Sequence, residues 1–564
     1  MSEKGTKIGQ MLKEKALVTE ESLSEALNIQ KQTGEKIGDI LIRLGYVSED
    51  DFIKVLAQRI KVDYVDLNQT QMNVATVRLI NENFARENSL ISVEKRGNTL
   101  VVAMKDPVNL YVIEDLRFMT NMEIKPVIAS PSAIETAIDD YYIGSVATAA
   151  AQDVNREFVN AEIGGDLASI GSQIDTRVEG APVVRLVNSI ILQAVKSGAS
   201  DIHIEPTRTD TRIRMRIDGH LREVLKLSIA AHGSIVTRLK IMSSMNIAER
   251  RLPLDGRCEV ELDGQLIDMR VSTLPTVYGE KAVIRLLTNN ITKNITSKET
   301  LGMSSQNLEL FEKLIQVSNG VILVTGPTGS GKTTTLYTII NEIMSPEINV
   351  VTIEDPVEFK IDGANQMQIN SKAGLTFATG LRSILRQDPD VIMIGEIRDD
   401  ETASIAIRAA ITGHIVLSTL HTNDAATAIN RLVDMSVKPY LVSAAVSGII
   451  AQRLVRRICT HCKTSYSSSE NDNIMLELKG TTKLYKGSGC INCSFTGYKG
   501  RAAVHEIIVI DDNIRTMIIK EKSSSEILEY ALKHGTITLK NDIKQLVLSG
   551  LSTVEEYINA AYTL

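Results

Sequence analysis

The residues Gly326-Pro327-Thr328-Gly329-Ser330-Gly331-Lys332-Thr333 fit the pattern G-x-x-x-x-G-K-T. They stand between an apolar run, Val321–Thr325, and a helical run, Thr334–Met344, the context a phosphate-binding loop requires. Glycines let backbone N–H groups wrap phosphate oxygens, and the helix start adds the positive end of a dipole. Lys332 is placed to reach the β- and γ-phosphates of ATP, and the Thr333 hydroxyl to hold Mg²⁺. Gly326 through Thr334 are the candidate ATP and Mg²⁺ site.

Carboxylates follow. Ile353-Glu354-Asp355-Pro356-Val357-Glu358 closes an expected strand, Asn349–Ile353, at the end where α/β folds place ligands. Such a cluster binds a cation, handles a proton, or is a solvated acidic turn. Val391-Ile392-Met393-Ile394-Gly395-Glu396 reads as a Walker-B-like buried strand tipped by a carboxylate. Glu396 stands where many P-loop enzymes carry Asp, so it meets Mg²⁺ through water or caps the next turn. Thr412-Gly413-His414 and His421-Thr422-Asn423 bracket the strand Ile415–Leu420. Fully extended, that strand holds its two histidines about 20 Å apart, too far to share a metal. His421 falls at the functional strand end.

Positive charge speeds phosphoryl transfer. Arg212, Arg214 and Arg216 alternate along one strand and so share a face. They repel one another unless an anion or acids lie opposite. Arg250, Arg251 and Arg257 flank the turn Leu254-Asp255-Gly256, and Arg382, Arg386, Arg398 and Arg408 follow the phosphate loop. Arginines ahead of the loop that reach a neighbour's nucleotide require an oligomer.

Cys459-x-x-Cys462 and Cys490-x-x-Cys493 are separated by 27 residues. Four thiolates in this pattern make a structural Zn²⁺ site with no open position for catalysis; the alternative is a vacant site or another metal. His461 is not counted as a ligand, and Cys258 reads as a buried structural residue.

The elements that must position these groups follow from patterning. From Val321 onward, apolar strands alternate with helical segments, the rhythm of a mostly parallel sheet. Residues 296–564 are the expected ATPase domain, with the tetracysteine insertion at 459–493. Residues 181–295 form a second α/β region, with an amphipathic helix Val183–Ser197 and strands Thr211–Arg216, Arg257–Leu262 and Leu266–Ser272. Residues 146–180 shift to Ala, Asp, Gly, Ser and Gln and read as a linker, or in part an Ala-rich helix. Residues 70–145 are a small α/β unit. A hairpin joins Leu90–Val93 and Thr99–Ala103 around Arg96-Gly97-Asn98, and two helical stretches flank the strand Ile124–Ile128.

The first 145 residues also carry an ungapped repeat at an offset of 29: residues 7–30 match 36–59. Lys7-Ile8-Gly9 recurs as Lys36-Ile37-Gly38. Apolar residues pair as Met11 with Ile40, Leu12 with Leu41, Val18 with Val47, and Leu27 with Leu56. Thr19 and Ser48 precede acidic residues, as helix N-caps do. Each copy reads as helix, turn, helix, one unit used twice.

At 564 residues, three or four domains are expected. A net charge of −7 argues against a chain that binds nucleic acid over its whole surface. No apolar run approaches the roughly 20 residues that span a bilayer. The N-terminus lacks the design of a signal peptide, so a cytoplasmic location is expected.

These motifs, in this order, resemble the secretion-superfamily ATPases of type IV pilus assembly and type II secretion over nearly the whole chain. Gly326–Thr333 is similar to their Walker A, Ile353–Glu358 to their Asp box, Ile394–Arg398 to their Walker B and Thr412–His421 to their His box. The resemblance implies Glu358 as the base that activates water, Glu396 on the Mg²⁺ side, and His421 as a sensor of nucleotide state. Ser200–Glu205 and Arg214–Gly219 resemble the domain before the motor core, from which Arg214 would meet ATP across a domain or subunit contact. The implied fold is a RecA-like P-loop core preceded by a PAS-like α/β domain and an N-terminal helical-repeat plus α/β domain, assembled as a homohexamer. The implied work is extension of a type IV pilus through a polytopic inner-membrane platform protein and a cytoplasmic accessory protein, with the motor peripheral to the membrane. The tetracysteine insertion points to the extension or export branch. A type II secretion or DNA-uptake motor shares every core motif. A nucleic-acid translocase and a nucleotide-gated scaffold are the readings from other classes.

The N-terminal repeat resembles a tandem 24-residue motif, spaced by five, that binds cyclic di-GMP. Lys7, Ile8, Gly9, Gln30, Lys36, Ile37 and Gly38 are its candidate contacts. Lys stands for the motif's leading Arg in both copies, Ala16 for its mid-motif Gly, and Arg59 for its final Gln. Lysine neither stacks on nor forks to a guanine as arginine does, so a helical docking module is the other reading.

Overall fold

The computed structural model describes residues 8–70, 72–139, 141–142, 151, 154, 182–287 and 297–561. Of the expected linker 146–180, only Ala151 and Val154 fall among these. The chain divides into two compact units, one built chiefly from residues 1–193, the other chiefly from 194–226, 239–487 and 498–564.

In the first unit, helices Ile8–Glu14 and Glu20–Thr33 recur as Ile37–Arg43 and Glu49–Ile60. Thr19 accepts from the Ser22 N–H with the Ser22 side chain reciprocating, and Ser48 accepts from the Asp51 N–H. The repeats bury Leu12, Val18, Ala26, Ile40, Leu41, Val47 and Val55 in one cluster. Leu27 departs from the expected pattern and is exposed. Gly45 turns its helix pair with φ +73°, and Ala16 occupies the equivalent place at φ +54°. A Cβ in the left-handed region costs about 1–2 kcal/mol, so the first turn is held by its surroundings rather than by its own preference.

Strands β1 (Leu90–Arg96) and β2 (Thr99–Met104) form the expected antiparallel hairpin. Strand β3 (Glu123–Ile128) then lies parallel to β2, after the helix Leu110–Thr120. Leu90, Ile91, Leu100, Val102 and Leu116 are buried together there.

The helix Pro182–Lys196 precedes a six-stranded sheet. Its strands are β4 (Ala199–Pro206), β5 (Asp210–Ile217), β6 (His220–Ser228), β7 (Leu254–Leu262), β8 (Gln265–Thr276) and β9 (Gly279–Leu287). The spatial order is β6-β5-β4-β9-β8-β7. The pairs β4–β5, β4–β9, β7–β8 and β8–β9 are antiparallel. The sequence pattern marks β5, β7 and β8 as strands and leaves β4, β6 and β9 unmarked.

The phosphate-loop region holds strands β10 (Gly320–Thr325), β11 (Val350–Glu354), β12 (Ala364–Gln368), β13 (Val391–Ile394), β14 (Ile415–Leu420) and β15 (Val446–Ile458), then β16 (Lys463–Ser467), β17 (Lys483–Gly487) and β18 (Tyr498–Val509). Seven of these make one sheet in the order β12-β11-β13-β14-β10-β15-β18. Its pairs are parallel except β15–β18. Every residue of β10, β11 and β13 is buried, as a parallel sheet covered on both faces demands. This is the RecA-like core expected, and it gathers the carboxyl ends of β10, β11, β13 and β14 on one edge. Among the described residues no helix is long and apolar enough to cross a membrane.

Candidate active site

Strand β10 ends at Thr325, and the chain turns through Gly326 (φ +147°), Gly329 (φ +79°) and Gly331 (φ +89°) into the helix Lys332–Ile343. Side chains other than glycine's are strained at such angles. The Lys332 ammonium is buried under the loop and donates to the carbonyls of Gly326 (2.8 Å) and Pro327 (3.1 Å). Burial pushes its pKa below the ordinary lysine value, and the charge of Glu396 opposes that shift. Thr333 and Thr334 are half-buried on the first helical turn, while Pro327, Thr328 and Gly329 are exposed.

Strand β13 delivers Glu396 beside this loop. Gly395 N–H donates to the Ile353 carbonyl (2.8 Å), and the Thr419 hydroxyl donates to the Gly395 carbonyl (2.8 Å), so β11 and β14 both fix the turn before Glu396. His421 Nε2 stands 3.5 Å from one Glu396 oxygen, and Arg398 stands 2.5 Å from the other. Thr422 N–H donates to Thr325 Oγ1 (2.9 Å), joining the segment after β14 to the foot of the phosphate loop. His414, at the opposite end of β14, bonds through Nδ1 to the Ala409 carbonyl (2.8 Å) and serves its helix end.

The acidic segment separates into three roles. Glu354 is buried and accepts from the hydroxyls of Tyr337 and Thr352 (2.6 Å) and from Gln366 Nε2 (3.1 Å), a structural tie. Asp355 is exposed. Glu358 is half-buried and meets Arg270, which donates to its carboxylate at 3.4 Å and to the Val357 carbonyl at 3.2 Å. Arg270 lies on β8, and the sequence reading did not single it out.

Acids do lie opposite the alternating arginines. Arg212 pairs with Glu223 (3.0 Å), Arg214 forks onto Glu205 (2.8 and 2.9 Å), and Arg216 approaches Asp201 (3.7 Å). Burial pushes the Glu205 carboxyl up, but hydrogen bonds from Arg214 and Lys281 outweigh it and hold the pKa down to about 2. The structure thus brings Lys332, Glu396 and His421 together and Arg214 to Glu205. Arg251 pairs with Glu249, Arg257 with Asp268, and Arg382 with Glu401.

A cavity of about 480 Å³ opens beside the loop, lined by Pro327–Ser330, Arg453, Arg456, Arg501 and the turn Asp218-Gly219-His220. That volume suits a small organic ligand. The Asp218 carboxylate accepts from the Gly500 N–H at 3.0 Å, which holds this turn in place.

The sulfurs of Cys459, Cys462, Cys490 and Cys493 are buried and lie within 4.8 Å of one another. Cys490 and Cys493 sulfurs are 3.7 Å apart, close to the roughly 3.8 Å edge of a tetrahedron with Zn–S bonds of about 2.3 Å. Cys493 Sγ accepts N–H bonds from Cys490 and Gly497 at 3.2 Å, which favour a thiolate. The donor set fits Zn²⁺.

In the N-terminal repeat, Lys7 lies outside the described residues. Ile8 and Ile37 are half-buried, and Gly9 and Gly38 are buried. Gln30 Nε2 donates to the Glu35 carbonyl (3.1 Å), and Lys36 occupies an N-cap position without a side-chain cap bond.

The family described as "Type II/IV secretion system protein" matches residues 176–559, and the MshEN domain matches residues 60–148. The type IV pilus assembly ATPase PilB of Myxococcus xanthus is 38% identical over 565 residues, covering 98% of both chains. The type II secretion system ATPase E of Vibrio cholerae is 45% identical over 380 residues, 67% of this chain and 75% of that one. The ATPase DotB of Yersinia pseudotuberculosis shares the fold, with a TM-score of 0.50, 20% identity, and coverage of 67% of this chain and 94% of that one. The chain belongs to the type II/IV secretion system protein family and is a P-loop ATPase.

Proposed function

We propose that this chain is the ATP-hydrolysing motor that extends a type IV pilus, working as a homohexamer on a polytopic inner-membrane platform protein with a cytoplasmic accessory protein. The observation that carries the reading is the meeting of Lys332, Glu396 and His421 at the carboxyl edge of one parallel sheet. The loop amides and Lys332 would hold the phosphates, and Glu396 and Thr333 would hold the metal. Mg²⁺ held there would neutralise charge developing on the phosphates. Glu358 takes the proton of the attacking water, and Arg270 fixes its carboxylate. His421, touching Glu396, reports the state of the site. Arg214 reaches a nucleotide only by leaving Glu205, which suits an arginine engaged in one state of a ring and released in another.

Pilus extension is favoured over secretion because the pilus ATPase of M. xanthus matches 98% of this chain, whereas the V. cholerae secretion ATPase matches 67%. Cyclic di-GMP is the proposed regulator, supported by the repeat and by the MshEN match, which begins directly after Arg59. Cys459, Cys462, Cys490 and Cys493 would hold Zn²⁺, which would tie their two loops together. The test is ATP turnover by the purified hexamer with and without cyclic di-GMP, beside Glu396→Ala. Turnover stimulated by the dinucleotide and lost in Glu396→Ala supports the reading. Turnover that persists in Glu396→Ala removes the assigned site, and a null response with no dinucleotide binding reduces the repeat to a docking module.

A further inference from the structure

Besides the bonds the phosphate loop makes within itself, one residue of the neighbouring strand stands behind it. Strand β15 runs parallel to β10 with Ala451 opposite Thr325, so the next residue, Gln452, comes level with Gly326 where β10 stops and the loop begins. A Cβ on Gly326 would stand 2.3 Å from the Gln452 carbonyl oxygen, and a Cβ on Gly331 would stand 2.9 Å from Gln452 Nε2. The middle glycine, Gly329, has nothing within 4 Å of its Cβ position. Both outer glycines of the loop are therefore seated against the same residue, and a side chain at either would push the loop off it. Gln452 is 2% exposed. Its Oε1 accepts a 2.5 Å hydrogen bond from Thr335 Oγ1 on the first turn of the helix, and the Thr335 N–H donates to the Gly331 carbonyl at 3.1 Å.

We propose that Gln452 is the positioning residue of the nucleotide site: its backbone seats Gly326, its side-chain amide seats Gly331, and its bond to Thr335 fixes the helix start on which the loop amides converge. The inference rests on the reading that ATP phosphates bind at Gly326–Thr333. Gln452 touches no reacting atom, so it acts through the loop, and its loss weakens nucleotide binding more than the chemical step. An amide at this place also keeps charge out of the space behind bound phosphates, which a carboxylate would not.

The experiment uses the full chain, with affinity for a fluorescent ADP measured in parallel with KM and kcat for ATP. Gln452→Met keeps the length of the side chain and deletes the amide. Thr335→Val deletes only the hydroxyl and keeps the shape, which preserves the test if Gln452→Met does not fold. Thr335→Ser keeps the hydroxyl as the conservative rescue. Each deletion should raise KM and the ADP dissociation constant by about fivefold to tenfold, the scale of one buried neutral hydrogen bond. The expected change in kcat is under about threefold, Thr335→Ser should stay near wild type, and the double variant should be no worse than the weaker single. Unchanged nucleotide affinity in folded Thr335→Val overturns the proposal, as does a loss confined to kcat and melting temperature. Wild-type protein that bound no nucleotide would instead overturn the ATP-site reading on which it rests.

Discussion

Arg270 of β8 meets Glu358 at 3.4 Å and the Val357 carbonyl at 3.2 Å, so the antiparallel sheet supplies the cation that faces the proposed catalytic base. The two side chains are 23% and 36% exposed, and a pair only partly shielded from water and held at 3.4 Å contributes little to stability, about 0–1 kcal/mol. Burial pushes the Arg270 guanidinium down from its ordinary pKa, with Glu358 opposing, so charge is kept there at some cost. Arg270→Gln should lower kcat about tenfold through loss of base positioning, with KM within about threefold. Its melting temperature should stay within about 2 °C of wild type. Glu358→Gln should lower kcat by at least about a hundredfold. Equal kcat in Arg270→Gln and wild type would remove Arg270 from the site.

The tetracysteine cluster predicts a metal measurable without any assay of activity. Elemental analysis should find about one zinc per chain in wild type and none in Cys462→Ser, because Zn²⁺ bound by three thiolates has lost one of the four ligands that close a structural site. Replacement with Co²⁺ should give the thiolate-to-metal charge-transfer absorption of a four-sulfur site. The melting temperature of Cys462→Ser should fall, since structural zinc contributes to folding. Zinc retained in full by Cys462→Ser would mean that the ion is held elsewhere.

Much of this site was legible because its signals are local. The phosphate loop, the Glu396 strand, the caps Thr19 and Ser48 and the repeat are each written in a short stretch. Arg270 was not: its partner Glu358 is 88 residues away, and a lone arginine on β8 carries no local mark of the carboxylate it faces. Gln452 was hidden in the same way, 117 residues from Thr335. Strand β6 escaped notice because it is buried at only one position and its residues are half-exposed on both faces, which blurs the period-two pattern. Arg212, Arg214 and Arg216 were correctly placed on one face, but their acids come from β4 and β6, so pairing was invisible to the sequence.

His505 predicts an acid weakness of the motor core. It is fully buried on β18, both ring nitrogens lack hydrogen-bond partners, and burial pushes its pKa down to about 4. The unfolded chain therefore binds a proton below about pH 6.5 that the native state refuses until about pH 4. This contribution weakens the fold as pH falls through that window, by on the order of 3 kcal/mol. Burial raises the carboxyls of Glu506 and Asp542, whose contribution has the opposite sign: present at low pH and lost as pH rises. Denaturant melts should therefore compare wild type with His505→Leu at about pH 6.5 and about pH 4.5. The leucine variant should lose less stability on acidification than wild type. Equal losses would show that the native protein admits a proton or water to His505.

Gly38 distinguishes packing from ligand contact in the N-terminal repeat. It is the second residue of the helix Ile37–Arg43, where alanine would ordinarily still be the better helix former. A Cβ here, however, would lie 2.2, 2.7 and 2.9 Å from three ring atoms of Phe52, and a ring cannot yield as a flexible tip can. The equivalent Cβ on Gly9 would lie 2.9 Å from Leu23 Cδ1, the far end of a movable side chain. Gly38→Ala should therefore cost about 1–3 kcal/mol by overpacking, and Gly9→Ala less. Hydrogen exchange on the full chain, with no dinucleotide added, should show faster exchange across Ile37–Ile60 in Gly38→Ala and a smaller change across Ile8–Thr33 in Gly9→Ala. On that outcome, any loss of cyclic di-GMP binding in Gly38→Ala follows from a loosened helix pair. Native protection in Gly38→Ala together with lost binding would instead make the glycine a place where the dinucleotide comes close to the backbone.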